Sequence, residues 1–171
     1  MIEQAGKKKM LLFSGSSNVE LASKVASNLG TELSTVESKE FASGEIYIRL
    51  YESVRGADCF VLQSHSGDVN KTIMEQLVLV DALKRASAKR ITAVLPFYPY
   101  SRQDKKALPR EPISARLVAD LFIAAGADRI VSIDLHTQQI QGFVDQPFDH
   151  LTAMPLFVNY FKEKFEEPIT I

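Results

Sequence analysis

The densest group of chemically useful side chains is Pro99-Tyr100-Ser101-Arg102-Gln103-Asp104-Lys105-Lys106, with three cations in five positions behind an apolar run. Arginine presents a planar fork that matches phosphate oxygens and lysine adds a mobile point charge, so polyphosphate binding is a physically sound use. A solvated surface loop would carry the same charges simply to stay in water. Asp134-Leu135-His136 places two metal-capable side chains at period two, hence on one face of an extended segment. Asp145 and Asp149 follow in the same connection. Carboxylates with an imidazole could hold a divalent ion, and magnesium usually takes one or two protein ligands beside substrate phosphates. The alternative is local, with Asp134 capping a turn and His136 bonded nearby.

Phe41-Ala42-Ser43-Gly44-Glu45 sets an aromatic beside a glycine and a carboxylate. Phe41 could stack on a purine ring. Composition alone favours a turn with Phe41 tucked into the core. Ser14-Gly15-Ser16-Ser17 precedes a helical pattern and could offer backbone N–H groups to an anion, although it lacks the glycine spacing of a phosphate-binding loop. His65 and His150 have no informative spacing and read as locally hydrogen-bonded residues.

The elements that must position these loops alternate along the chain. Lys9 to Phe13, Cys59 to Gln63, Ile91 to Leu95 and Ile130 to Asp134 are short apolar runs with the look of buried strands. Glu45 to Leu50 alternates polar and apolar residues, as a half-buried strand does. Apolar residues at helical spacing predict helices from Ser17 or Asn18 to Leu29, through Ile73 to Leu83, from Ile113 to Ala125, and from Pro155 to Phe165. Pro168 to Ile171 resembles the start of another strand. Strands alternating with such helices imply an α/β fold, a parallel sheet flanked by helices. Ligands then sit beyond the carboxyl ends of the strands, where the loops 14–18, 64–70, 96–112 and 134–149 lie.

The totals are those of an ordinary globular domain: 171 residues, 46% hydrophobic and 24% charged. A formal net charge of -1 advertises neither nucleic acid nor an anionic membrane as partner. No stretch approaches the roughly 20 apolar residues of a membrane span, and no secretory signal is visible, so a cytoplasmic setting is expected. The lone cysteine, Cys59, sits within an apolar run and reads as a small buried hydrophobe.

Taken in order, Phe13-Ser14-Gly15-Ser16, Glu52-Ser53-Val54-Arg55-Gly56, the 99–106 segment, Pro112-Ile113-Ser114-Ala115 and Asp134 to Phe143, continuing to Pro147-Phe148-Asp149, resemble the ribose-phosphate diphosphokinases, the PRPP synthetases. The resemblance runs from about Lys9 to the last residue. It implies a phosphoribosyltransferase-like domain over residues 1–150 and the start of a truncated second domain over 151–171. The implied chemistry is attack of the ribose 5-phosphate C1 hydroxyl on the β-phosphorus of ATP, giving PRPP and AMP for nucleotide biosynthesis. Arg102 and Gln103 match the family's ATP-binding pair. Phe41, Ser43, Gly44 and Glu45 match its adenine loop, which typically reaches a neighbouring subunit's site. His136 matches a residue that helps bind Mg2+ with ATP, and Asp134, Asp145 and Asp149 match positions assigned to divalent cations. Ser53, Arg55, Lys106 and Gln141 fall near an effector site between subunits, and a homo-oligomer, a hexamer in the family, is the implied assembly.

Two departures stand out. Ser43 replaces the family's usual Asn or Asp, and Ala107-Leu108-Pro109 replaces a more polar stretch. The family's ribose 5-phosphate loop and catalytic lysine do not occur before Ile171, so no catalytic residue is assigned and this chain alone is expected not to turn over. A non-catalytic regulatory or assembly subunit is the competing reading.

Overall fold

The computed structural model describes residues 9 to 165. The strand expected at Pro168 to Ile171 lies outside them. Five strands form the central sheet: β1 (Met10–Ser14), β4 (Asp58–Leu62), β5 (Arg90–Leu95), β6 (Arg129–Ile133) and β7 (Phe148–Leu151). They lie in the order β1-β4-β5-β6-β7, and every pairing is parallel. The remaining strands, β2 (Val36–Glu40) and β3 (Ile46–Leu50), pair antiparallel as a separate hairpin.

Strand alternation divides the core. Leu11, Phe13, Cys59, Val61, Ile91, Ala93 and Leu95 face one side of the sheet. Helix α2 (Val69–Arg85) packs there with Ile73, Leu77, Val80 and Leu83, and α3 (Ser114–Ala125) with Ala115, Val118, Ala119 and Phe122. Leu12 and Leu62 point the other way, where α1 (Val19–Leu29) covers them with Ala22 and Ala26. Each fully buried Leu or Ile contributes about 2 kcal/mol, so these two layers hold the strand ends in place.

Helix α1 turns back outside β1, where Leu33 bridges to Leu12, whereas α2 and α3 carry the chain towards β5 and β6. The winding direction therefore reverses between β1 and β4, the usual crevice for a ligand in an open α/β sheet. The three inner strands end alike, each followed by a non-glycine residue in left-handed backbone: His65 (φ 54°), Tyr100 (φ 59°) and Asp134 (φ 46°). Such residues cost of order 1–3 kcal/mol each and cluster at functional edges. The last helix, α4 (Met154–Lys164), buries none of its side chains. No helix among the described residues is long and apolar enough to cross a membrane.

Candidate nucleotide site

The crevice between β1 and β4 is filled from within. Glu75 of α2 is 3% exposed, and its Oε2 accepts the Ser16 N–H (3.1 Å), the Ser16 hydroxyl (2.7 Å) and the Gln63 amide (2.7 Å). The Ser17 N–H and hydroxyl both donate to Gln63 Oε1, at 3.1 and 2.7 Å. The N–H groups that the Ser14–Ser17 turn could have offered to an anion are thus taken up inside the protein, that of Ser16 by the Glu75 carboxylate and that of Ser17 by Gln63. Burial alone would raise the Glu75 carboxyl. The donors from Ser16, Ser38 and Gln63 outweigh it and hold the group below its ordinary value.

An open cleft of about 430 Å3 lies instead beyond β5, lined by Val69, Asn70, Phe97, Tyr100, Ser101, Arg102 and Gln103. This volume falls within the range of small-molecule sites. Left-handed Tyr100 turns the chain so that Ser101 is buried while Arg102 is exposed. The Tyr100 hydroxyl donates to Asn70 Oδ1 at 2.6 Å, tying the loop to the start of α2. Gln103 is fixed from the other side. Its backbone carbonyl accepts the Ala115 N–H (3.1 Å) and its Oε1 accepts the Ser114 hydroxyl (2.6 Å). Gln103 thereby serves the start of α3, which has no side-chain cap of its own. Arg102 forms no ion pair among the described residues, so its fork stays open to a ligand.

Asp104 joins this loop to the one after β6. It is 6% exposed, and its Oδ2 accepts the Thr137 hydroxyl (2.6 Å) and the Gln139 amide (2.8 Å). The Thr137 bond, set against a smaller burial effect, holds its carboxyl below the ordinary range, and nearby His136 and Lys105 add to this. His136 itself is exposed beside this junction.

The four residues read as metal ligands are not gathered together. Asp134 accepts from the Thr152 hydroxyl (2.9 Å) and the Ala153 N–H (3.3 Å), the local capping role left open above. Asp149 pairs with Arg129. Asp145 lines a separate cleft with Arg116 and Asp120. Among the described residues no three His, Cys, Asp or Glu side chains form a metal-binding group. The donors fit only a cation that takes most of its ligands from water and substrate phosphate, as magnesium does.

Phe41, Ser43, Gly44 and Glu45 lie apart from the cleft, at the tip of the β2–β3 hairpin. Phe41 is 54% exposed and meets the edge of Tyr47, so it is not tucked into the core. Gly44 takes φ 87° to close the turn, its N–H donating to Phe41 O at 2.8 Å, and the Ser43 hydroxyl donates to Glu45 (2.7 Å). Ser53 and Arg55 precede β4 at the amino edge of the sheet, whereas Lys106 and Gln141 follow β5 and β6 at the carboxyl edge. A five-residue strand separates those edges by roughly 15 Å. His65 and His150 are locally bonded as expected, His65 to Thr72 and Gln76, and His150 accepting the Leu135 N–H at 3.0 Å.

Comparison with known proteins places the chain in a family. A family model described as the N-terminal domain of ribose phosphate pyrophosphokinase matches residues 10–126. The chain belongs to the ribose-phosphate pyrophosphokinase family. Ribose-phosphate pyrophosphokinases of Corynebacterium efficiens and Streptomyces coelicolor are 62% and 57% identical, over 93% and 96% of this chain and 49% and 51% of their own lengths. The crystal structure of phosphoribosylpyrophosphate synthetase from Mycobacterium smegmatis matches with a TM-score of 0.89 at 60% identity, covering 91% of this chain and 52% of that one. The chain therefore spans about half the length of these pyrophosphokinases and corresponds to the amino-terminal half.

Sequence reasoning left Asn70, Phe97 and Asp104 unassigned. Phe97, 51% exposed in the cleft wall, offers an aromatic face at the site itself. The available signals were an aromatic two residues after a strand and the single acid inside a cationic motif.

Proposed function

We propose that this chain is the nucleotide-binding half of a ribose-phosphate pyrophosphokinase, holding ATP while diphosphate passes to the C1 hydroxyl of ribose 5-phosphate. The observation that carries the reading is the cleft beyond β5, lined together by exposed Arg102, a fixed Gln103 and Phe97. Arg102 would pair with the polyphosphate as a fork. Gln103 would position it through the amide N–H group that Ser114 leaves free, and Phe97 would offer a stacking face. Such transfers depend almost wholly on positioning and charge neutralisation, which suits a site without a nucleophile. Magnesium, when bound with the nucleotide, supplies further neutralisation. His136 and Asp134 are the residues offered to hold its hydrated ion.

The Phe41–Glu45 loop stands clear of this cleft, which supports its use in a neighbouring subunit of a homo-oligomer. Ser53 and Arg55 lie at the opposite edge of the sheet from Lys106 and Gln141 within one chain, which supports an effector site formed between subunits rather than within one. A boundary near residue 151 between two domains, and a cytoplasmic setting, belong to the same reading.

Titration calorimetry with ATP, with and without magnesium, tests it. A charge-assisted bond contributes about 1.5–3 kcal/mol, so Arg102→Ala should weaken magnesium-dependent binding at least roughly tenfold. Absence of magnesium-dependent ATP binding by the unaltered chain would overturn the reading.

A further inference from the structure

The β2–β3 hairpin is not part of the central sheet, so something else must set its direction. One face of β2 carries Val36, Ser38 and Glu40 at period two. Val36 packs on the main core with Ile48 and Leu50 of β3. The Ser38 hydroxyl donates to Glu75 Oε1 at 2.8 Å, and Glu40 pairs with Lys71. Lys71 and Glu75 stand four residues apart, on one face of α2, so the helix meets the strand as a short two-rung ladder. The rungs are unequal. Lys71 and Glu40 are both about half exposed, where an ion pair contributes little. Glu75 is buried, and a bond to a buried carboxylate is among the stronger kinds. Its second oxygen holds the turn after β1 and the end of β4. Asn70, next to Lys71 in sequence, lines the cleft through Tyr100.

We propose that Glu75 is a positioning residue: it latches the hairpin to α2 through Ser38 and so fixes where the Phe41–Glu45 loop is presented relative to the Arg102 cleft. A carboxylate is suited to this because every group around it is a donor. Two oxygens accepting four donors hold three elements at once.

Ser38 is exposed, so its substitution separates the latch from the core. Ser38→Ala should lower the thermal midpoint by only a few degrees while raising amide hydrogen exchange in Val36–Leu50 at least fivefold over that in β4 and β5. Ser38→Thr keeps a hydroxyl and should restore protection, which a general loss of strand packing would not do. Hairpin exchange unchanged in Ser38→Ala, or no recovery in Ser38→Thr, overturns the latch. A second arm rests on the proposed nucleotide site and on a neighbouring copy supplying the Phe41–Glu45 loop: at concentrations where copies associate, Ser38→Ala should weaken magnesium-ATP binding severalfold, with recovery in Ser38→Thr. Failure of the unaltered chain to bind ATP sinks the nucleotide reading alone. Binding by the unaltered chain that Ser38→Ala leaves unchanged counts against the latch.

Discussion

At the residue scale the most informative side chain outside the cleft is His65. It is 1% exposed at φ 54°, between Thr72 Oγ1 (3.2 Å) and Gln76 Oε1 (2.9 Å). The Gln76 amide nitrogen donates to Val61 O at 2.8 Å, which orients its oxygen as an acceptor and assigns His65 the neutral Nε2–H tautomer. Burial lowers its pKa to about 4, against smaller upward effects of the Gln76 bond and the Glu75 charge. The unfolded ring titrates near 6.5, so between about 6.5 and 4 the unfolded state binds the extra proton and stability falls as pH falls. This linkage removes about 2 kcal/mol by pH 5. Asn tolerates left-handed backbone and carries no titrating ring. His65→Asn should therefore lose markedly less stability than the parent between pH 7 and pH 5 in urea unfolding followed by circular dichroism. Equal losses in the two proteins would refute the assignment. Residue type alone marked Arg102 as a candidate phosphate fork, whereas Gln103 was assigned only through the family resemblance. Asp104 was not legible, because its work is set by Thr137 and Gln139, more than thirty residues away.

Elements were legible where burial imposed a period. The strands at β1, β4, β5 and β6 and the helices α1, α2 and α3 follow from apolar spacing, because each buries a face or a whole width, and α4 shows the same spacing without a buried residue. β2 escaped notice because Val36-Glu-Ser-Lys-Glu is polar on both sides, its inward face being used for the Glu75 and Lys71 contacts. β7, four residues long, and the 3-10 helix Gln138–Phe143 were missed because neither is long enough to show a period. The turn opening α1 was legible as a turn but not as a sealed one. Its tightness is testable at Gly15, where an added Cβ would sit 2.3 Å from the buried Gln63 side chain. Gln63 cannot swing aside without releasing Ser17 and Glu75. Gly15→Ala should cost about 1–3 kcal/mol as an overpacked site. A urea midpoint shift near zero would show that the crevice has slack.

At the scale of the whole molecule the sheet presents its working loops at one edge, while α4 presents an uncovered apolar surface. Leu156 is 72% exposed, Phe157 54% and Tyr160 52%, and no residue of the helix is buried. A lone exposed leucine needs no explanation, but large apolar side chains concentrated on one short helix form an interaction surface. The pattern of that helix was legible in the sequence. That nothing among the described residues covers it was not, because periodicity shows which residues seek burial and not whether a neighbour exists. The relatives have roughly twice this length, so α4 is where further covering structure has surface to gain. Among the described residues nothing buries this helix, which predicts that the 171-residue chain self-associates through it as concentration rises. Leu156→Glu with Phe157→Glu places charge on that surface without removing any buried contact. Sedimentation velocity over a hundredfold concentration range should show the parent shifting to larger species and the double variant shifting much less, with equal far-ultraviolet circular dichroism. If the two proteins sediment alike at every concentration, α4 is not the associating surface.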